Sequence, residues 1–137
     1  VIILDTNVLS DLMRGGSPET LRWLDTVPRS ALHTTAVNRA EIRLGIARLP
    51  DGRRKASLAD RADAVFAQVE DHVWPFDSAA ADRFASVVAD RQIAGRPISV
   101  ADAQIAAIAS VRRASLATRN VDDFVACGIV VVDPFEG

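Results

Sequence analysis

Short, largely β-branched apolar runs recur along this chain, and each is separated from the next by enough residues for one or more helices. Val1-Ile-Ile-Leu4 is the first such run. A strand buried on both faces explains its uniform apolarity, because a strand with one wet face would alternate. Residues 31–34, 73–76, 115–118 and 129–132 read as further strands. Pro75 marks the third as an edge or a strand end, since proline cannot donate to a ladder. Helices are expected at 8–13, ended by Gly15-Gly16, and from Pro18 to about 26, with Ser17 as cap and proline at the first position. A helix over 36–49 is capped by Thr35 and stopped by Pro50. A polar hinge over 51–55 precedes a helix over 56–70. Helices at 78–93, 99–113 and a short one at 121–126 complete the pattern. Strands alternating with helices imply a parallel sheet covered on both faces, in one domain spanning 1–137.

Composition matters here for what it excludes. No apolar run approaches the roughly 20 residues of a membrane span. No basic, then apolar, leader precedes the first strand, and Cys127 is the only cysteine, so no internal disulfide forms. Both features suit a reducing cytoplasm. A small buried hydrophobe is the expected role of Cys127, because no activating neighbour is evident. The net charge of −2 argues against nonspecific nucleic-acid binding. It does not exclude an enzyme that meets phosphate through a metal ion.

Parallel sheets gather reactive groups at the carboxyl ends of their strands. Asp5 follows the first run directly, and Asn120 and Asp123 follow the fourth. Helix capping explains each pair equally well: Asp5 or Thr6 caps one helix, and Asn120 with Asp123 forms a cap pair. Glu41 is more informative. At about 100° per residue, Arg39 and Arg43 share one helix face, while Glu41 falls beside Val37 and Leu44 on the expected packed side. A carboxylate there needs a cation, either an arginine from elsewhere or a metal ion. Asp102 completes Ser99-Val-Ala-Asp102, a capping-box pattern behind Pro97. A carboxylate in a first helical turn can also face a sheet end, so the two roles are compatible.

Together these segments resemble the PIN domain, the nuclease family of the VapC and FitB toxins. The resemblance rests on Leu4-Asp-Thr-Asn-Val8, Ala40-Glu-Ile-Arg-Leu-Gly45, Ser99-Val-Ala-Asp-Ala103 and Thr118-Arg-Asn-Val-Asp-Asp-Phe124, with the Asp133-Pro-Phe135 ending. Leu49-Pro-Asp-Gly-Arg-Arg-Lys55 looks closest to the FitB branch. Each motif is weak alone, but their order and spacing over the whole chain are specific. The resemblance implies a three-layer α/β/α sandwich around a small, mostly parallel sheet, and ribonuclease activity dependent on Mg²⁺ or Mn²⁺. It matches Asp5, Glu41 and Asp102 to the family's acidic triad. The family's fourth acid falls where this chain has Asn120, a departure. Bacterial members are commonly dimeric toxins held inactive by an antitoxin, so RNA, a cognate antitoxin and a second copy are the implied partners, with no membrane.

The chemistry of the residues agrees. Hydrolysis of a phosphodiester needs an activated water and compensation of phosphate charge, and an oxygen-ligated Mg²⁺ supplies both. His33 and His72, the two histidines, stand apart from the motifs. Thr6, Asn7, Ser99 and Thr118 are placed to orient carboxylates or water from behind. Asp123, three residues past Asn120, reaches the same side of a helical turn and becomes the expected fourth acid, with Asn120 in support. An aspartate-nucleophile phosphatase is disfavoured: Asn7 replaces its usual second Asp, and Lys55, the only lysine among 16 basic residues, lies in a polar hinge rather than at a strand end. No glycine-rich loop follows a strand, which disfavours a nucleotide-binding domain. A catalytically silent module of the same fold is the rival from another class.

Overall fold

The computed structural model describes residues 1–69 and 72–136. Five strands form one sheet in the order β3-β2-β1-β4-β5, and every pairing is parallel. They are β1 (Ile2–Leu4), β2 (Leu32–Thr35), β3 (Val73–Trp74), β4 (Ser115–Ala117) and β5 (Val131–Val132). Among the described residues six α-helices accompany them: α1 (Thr6–Met13), α2 (Pro18–Asp25), α3 (Ala36–Ala47), α4 (Arg53–Gln68), α5 (Ser78–Ile93) and α6 (Val100–Arg112).

Period-two geometry divides the core into two layers. Ile3 and its register partner Leu116 face α5 and α6, in a cluster with Val87, Ile105, Ile108 and Phe124. Leu4 and its partner Ala117 face the other way, packing with Val8, Leu9, Ile42 and Phe66 of α1, α3 and α4. The central strands bury both faces, which is why β1 carries no polar residue. The result is the α/β/α sandwich.

Several local expectations hold for local reasons. Ser17, Thr35, Asp77 and Ser99 cap their helices through side-chain oxygens, and Pro18 sits in the first turn of α2. Gly95, with φ +71°, follows α5 in a left-handed conformation that a side chain would resist. Pro75 does mark an edge: β3 is outermost and two residues long.

Other expectations need correction. The 51–55 hinge shrinks, because α4 begins at Arg53, one residue past Gly52 with its φ of +153°. The expected end of that helix at Glu70 lies outside the described residues. Residues 121–126 form only a 3₁₀ turn, Val121–Phe124. The last strand spans two residues rather than four, as befits an edge that pairs on one side only.

Candidate active site

The strand order reverses direction beside β1: the chain winds outward through β2 and β3, then crosses to β4 on the other flank. The crevice at the carboxyl ends of β1 and β4 is the topological switch point, where open parallel sheets place their ligands. Asp5 leaves β1 there and Thr118 leaves β4 there.

Asp5 is 4% exposed, and its carboxylate is held by three donors. Oδ1 accepts from the Thr6 N–H at 2.9 Å and from Asn38 Nδ2 at 2.9 Å; Oδ2 accepts from Thr118 Oγ1 at 2.7 Å. Buried charge is tolerable only with such support. The Thr118 hydroxyl in turn accepts from Asn7 Nδ2 at 3.0 Å and from the Asn120 N–H at 3.1 Å. Asn7 Oδ1 accepts from the Arg119 N–H at 3.0 Å, which locks the turn after β4 onto the start of α1.

Glu41 joins from α3. Its Oε1 accepts from Thr6 Oγ1 at 2.8 Å, and that hydroxyl accepts from Asn38 Nδ2 at 3.1 Å. Among the described residues no cationic side chain pairs with Glu41. Arg14, Arg54 and Arg61 line a groove with Glu41 without reaching ion-pair distance of it. The reasoning about its helix face needs adjustment, however. The buried stripe of α3 runs through Asn38 and Ile42, whereas Leu44 is 49% exposed. Glu41 stands at the edge of that stripe, half-buried, where it meets both the core and the crevice. Arg39 and Arg43 do share a face, both lying over the Phe66 ring.

Asp102 occupies the first turn of α6, and its N–H donates to the Ser99 cap at 3.2 Å. Burial raises its carboxyl above the ordinary aspartate value. The nearby Ser99 hydroxyl opposes this, and the negative charges of Asp5, Asp123 and Glu41 add to it. Asp102 thus feels carboxylates from three other segments at this end of the sheet.

Asp123 and Asn120 are both exposed, and they line a hollow of about 630 Å³ with Arg119, Asp122, Asp133 and Glu136. The cap-pair reading fails, because Asn120 makes no side-chain capping bond. The Asp123 N–H meets the Asn120 carbonyl instead, at 3.0 Å.

Asn38 is the residue that sequence reasoning missed. It is fully buried and links Asp5, Thr6 and Thr35, whose hydroxyl donates to Asn38 Oδ1 at 2.7 Å. Its signal was present: a polar residue three positions before Glu41, on the same side of one helix.

The donor set suits a hard divalent cation, being all carboxylate, hydroxyl and amide oxygen. The raised Asp102 carboxyl and the unpaired Glu41 both favour added positive charge. Among the described residues no three acids already stand grouped as a metal cage. The fit is one of charge and donor chemistry, with ligands that an ion must draw together. Thr6 and Glu41 also line a groove of about 520 Å³ that combines apolar side chains such as Ile42 and Leu58 with Arg14, Arg54 and Arg61.

The PIN domain model matches residues 2–127. The VapC ribonuclease Y4jK of Sinorhizobium fredii is 33% identical, over 99% of each chain. Toxin FitB of Neisseria gonorrhoeae is 32% identical, over 98% of this chain and 99% of its own. The crystal structure of FitAcB from the same organism superposes with a TM-score of 0.91 at 31% identity, covering 100% of both chains. Agreement that runs from the first strand through the turn bearing Asp123, in sequence and in backbone alike, places this chain in the PIN domain family, among relatives of the VapC and FitB toxins.

Proposed function

We propose that this chain is a Mg²⁺- or Mn²⁺-dependent endoribonuclease and the toxin of a toxin–antitoxin pair. The observation that carries the reading is the buried Asp5 carboxylate at the switch point, fixed by Thr6, Asn38 and Thr118, with Glu41 tied to it through the Thr6 hydroxyl. Asp5, Glu41 and Asp102 would hold the cation, with Asp123 as a fourth acid. When bound, such an ion neutralises charge on the scissile phosphate and acidifies water.

The chain's own groups do the rest. Thr118, Asn38 and the Thr6 N–H fix both oxygens of Asp5, so its charge faces the crevice without rotating. Thr6 Oγ1 orients Glu41. Asn120 supports from the rim through its N–H to Thr118. Solved relatives include FitAB bound to a DNA fragment and a toxin–antitoxin complex from Klebsiella pneumoniae. By that likeness, an antitoxin is the expected protein partner of this chain; a second copy is expected from the family resemblance alone. The groove beside Glu41, apolar along Met13, Ile42 and Leu58 and basic at Arg14, Arg54 and Arg61, offers an inhibitory tail a seat.

The deciding experiment is cleavage of total RNA with Mg²⁺, Mn²⁺ or EDTA, with mapping of the 5′ ends. Cleavage should require the ion and disappear in Asp5→Ala and Asp102→Ala proteins of unchanged circular dichroism. Full cleavage by Asp5→Ala protein in EDTA would overturn the reading. A silent module would bind no Mn²⁺ and cut nothing.

A further inference from the structure

Arg91, near the end of α5, is 4% exposed and, among the described residues, has no carboxylate within ion-pair distance. Burying a guanidinium without a counter-charge costs several kcal/mol unless its donors are met. Here Nε and one terminal nitrogen are met by backbone. Nε donates to the Arg96 carbonyl at 2.6 Å, and one terminal nitrogen donates to the Asp123 carbonyl at 2.6 Å and the Val125 carbonyl at 3.0 Å. The same nitrogen lies 3.5 Å from Cys127 Sγ.

These acceptors belong to two separate segments. Arg96 lies just before Ser99, the cap of the helix that carries Asp102. Asp123 and Val125 belong to the turn after β4. A single planar cation is therefore tied to both segments that deliver the outer two acids. Its fork geometry lets it serve carbonyls on different sides at once, which a lysine cannot match. A structural arginine would be satisfied by carbonyls anywhere nearby; this one is satisfied by the two segments that lead into Asp102 and bear Asp123.

We propose that Arg91 is a positioning residue of the acidic site: it couples the segment before α6 to the 121–127 turn and so sets the spacing of Asp102 and Asp123. The effect on metal rests on the ribonuclease reading above; the coupling of the two segments does not.

The test uses Arg91→Lys and Arg91→Ala, with Phe66→Leu in the opposite layer as a control for lost stability. Arg91→Lys keeps charge and stem, and it remains testable where Arg91→Ala fails to fold. Mn²⁺ affinity of the apoprotein should fall about 10-fold or more in Arg91→Lys, as for other residues that orient ligands from behind. The control should keep wild-type affinity despite its lower melting temperature. Amide exchange should accelerate together at 97–102 and 121–127. In folded Arg91→Ala, millimolar guanidinium should restore both affinity and protection. Wild-type Mn²⁺ affinity in Arg91→Lys, or acceleration in only one segment, overturns the proposal. Failure of the wild type to bind Mn²⁺ would sink the ribonuclease reading and the role in metal spacing, while exchange still decides the coupling.

Discussion

Thr118→Val is the sharpest probe of how the site is held. The substitution is nearly isosteric, so it opens no cavity in a residue that is fully buried. It removes a hydroxyl that donates to Asp5 Oδ2 at 2.7 Å and accepts from Asn7 Nδ2 and the Asn120 N–H. The bond to the buried carboxylate is worth about 1.5–3 kcal/mol, being charge-assisted. The two stranded donors add less than their full cost, because Asn120 is exposed and water can reach it. The sum is about 2–4 kcal/mol. At roughly 3–5 °C per kcal/mol for a chain of this size, the melting temperature should fall by about 10 °C. Thermal melts followed by circular dichroism in EDTA measure this without involving the ion. Thr118→Ser retains the hydroxyl and should recover most of the loss. A Thr118→Val protein that melts within about 2 °C of wild type would refute the view that this hydroxyl web secures Asp5.

Other outcomes follow from the same geometry. Asp102 is raised, so its ionised form costs the native state stability once pH exceeds the unfolded value of 3.8. In EDTA at neutral pH, Asp102→Asn should therefore melt higher than wild type, with the difference vanishing below about pH 4; a lower melt at neutral pH contradicts the repulsion argument. His33 is lowered, chiefly by desolvation, where it stacks between His72 and Trp74. Its stabilising contribution is full above the unfolded value of 6.5 and declines as pH falls below it. His33→Phe keeps a stacked ring and should flatten the stability profile between pH 7.5 and 5.5, as chemical denaturation would reveal. Mn²⁺ at 100 times its dissociation constant should stabilise the wild type by about 2.7 kcal/mol but leave Asp5→Asn unmoved; equal stabilisation of both would place the ion elsewhere. Asp123→Asn preserves shape and removes charge, so weaker Mn²⁺ binding and slower cleavage are expected, and unchanged values would reduce the site to three carboxylates.

What could be read from the sequence was what is determined locally. Apolar runs, caps and helix stops depend on neighbours within four residues, and β1, Ser17, Thr35 and Ser99 came out as expected. The carboxyl-end rule then brought Asp5 and Asp123 to one side without coordinates. Asn38 escaped because its meaning lies in a carboxylate 33 residues away. Arg91 escaped for a different reason. Its partners are backbone carbonyls, which every residue has, so no side-chain pattern announces them. Leu44 misled because hydrophobicity was taken for burial: it stands about 200° round the helix from Ile42, outside the buried stripe. The short helix at 121–126 is only a 3₁₀ turn because the backbone leaves helical geometry at once: Val125 is extended and Ala126 has a φ of +59°.

The winding of the sheet also orders events in time. β1 takes β2 as a neighbour on one side but must wait for β4 on the other, and Asp5 and Thr118 are separated by 113 positions. Contacts of such long range close late, because the intervening chain must be gathered first. During synthesis, Asp5 precedes both the hydroxyl that fixes it and the helix that carries Asp102. On the ribonuclease proposal, this topology withholds the cutting centre from the ribosome, itself built of RNA, until translation has passed β4.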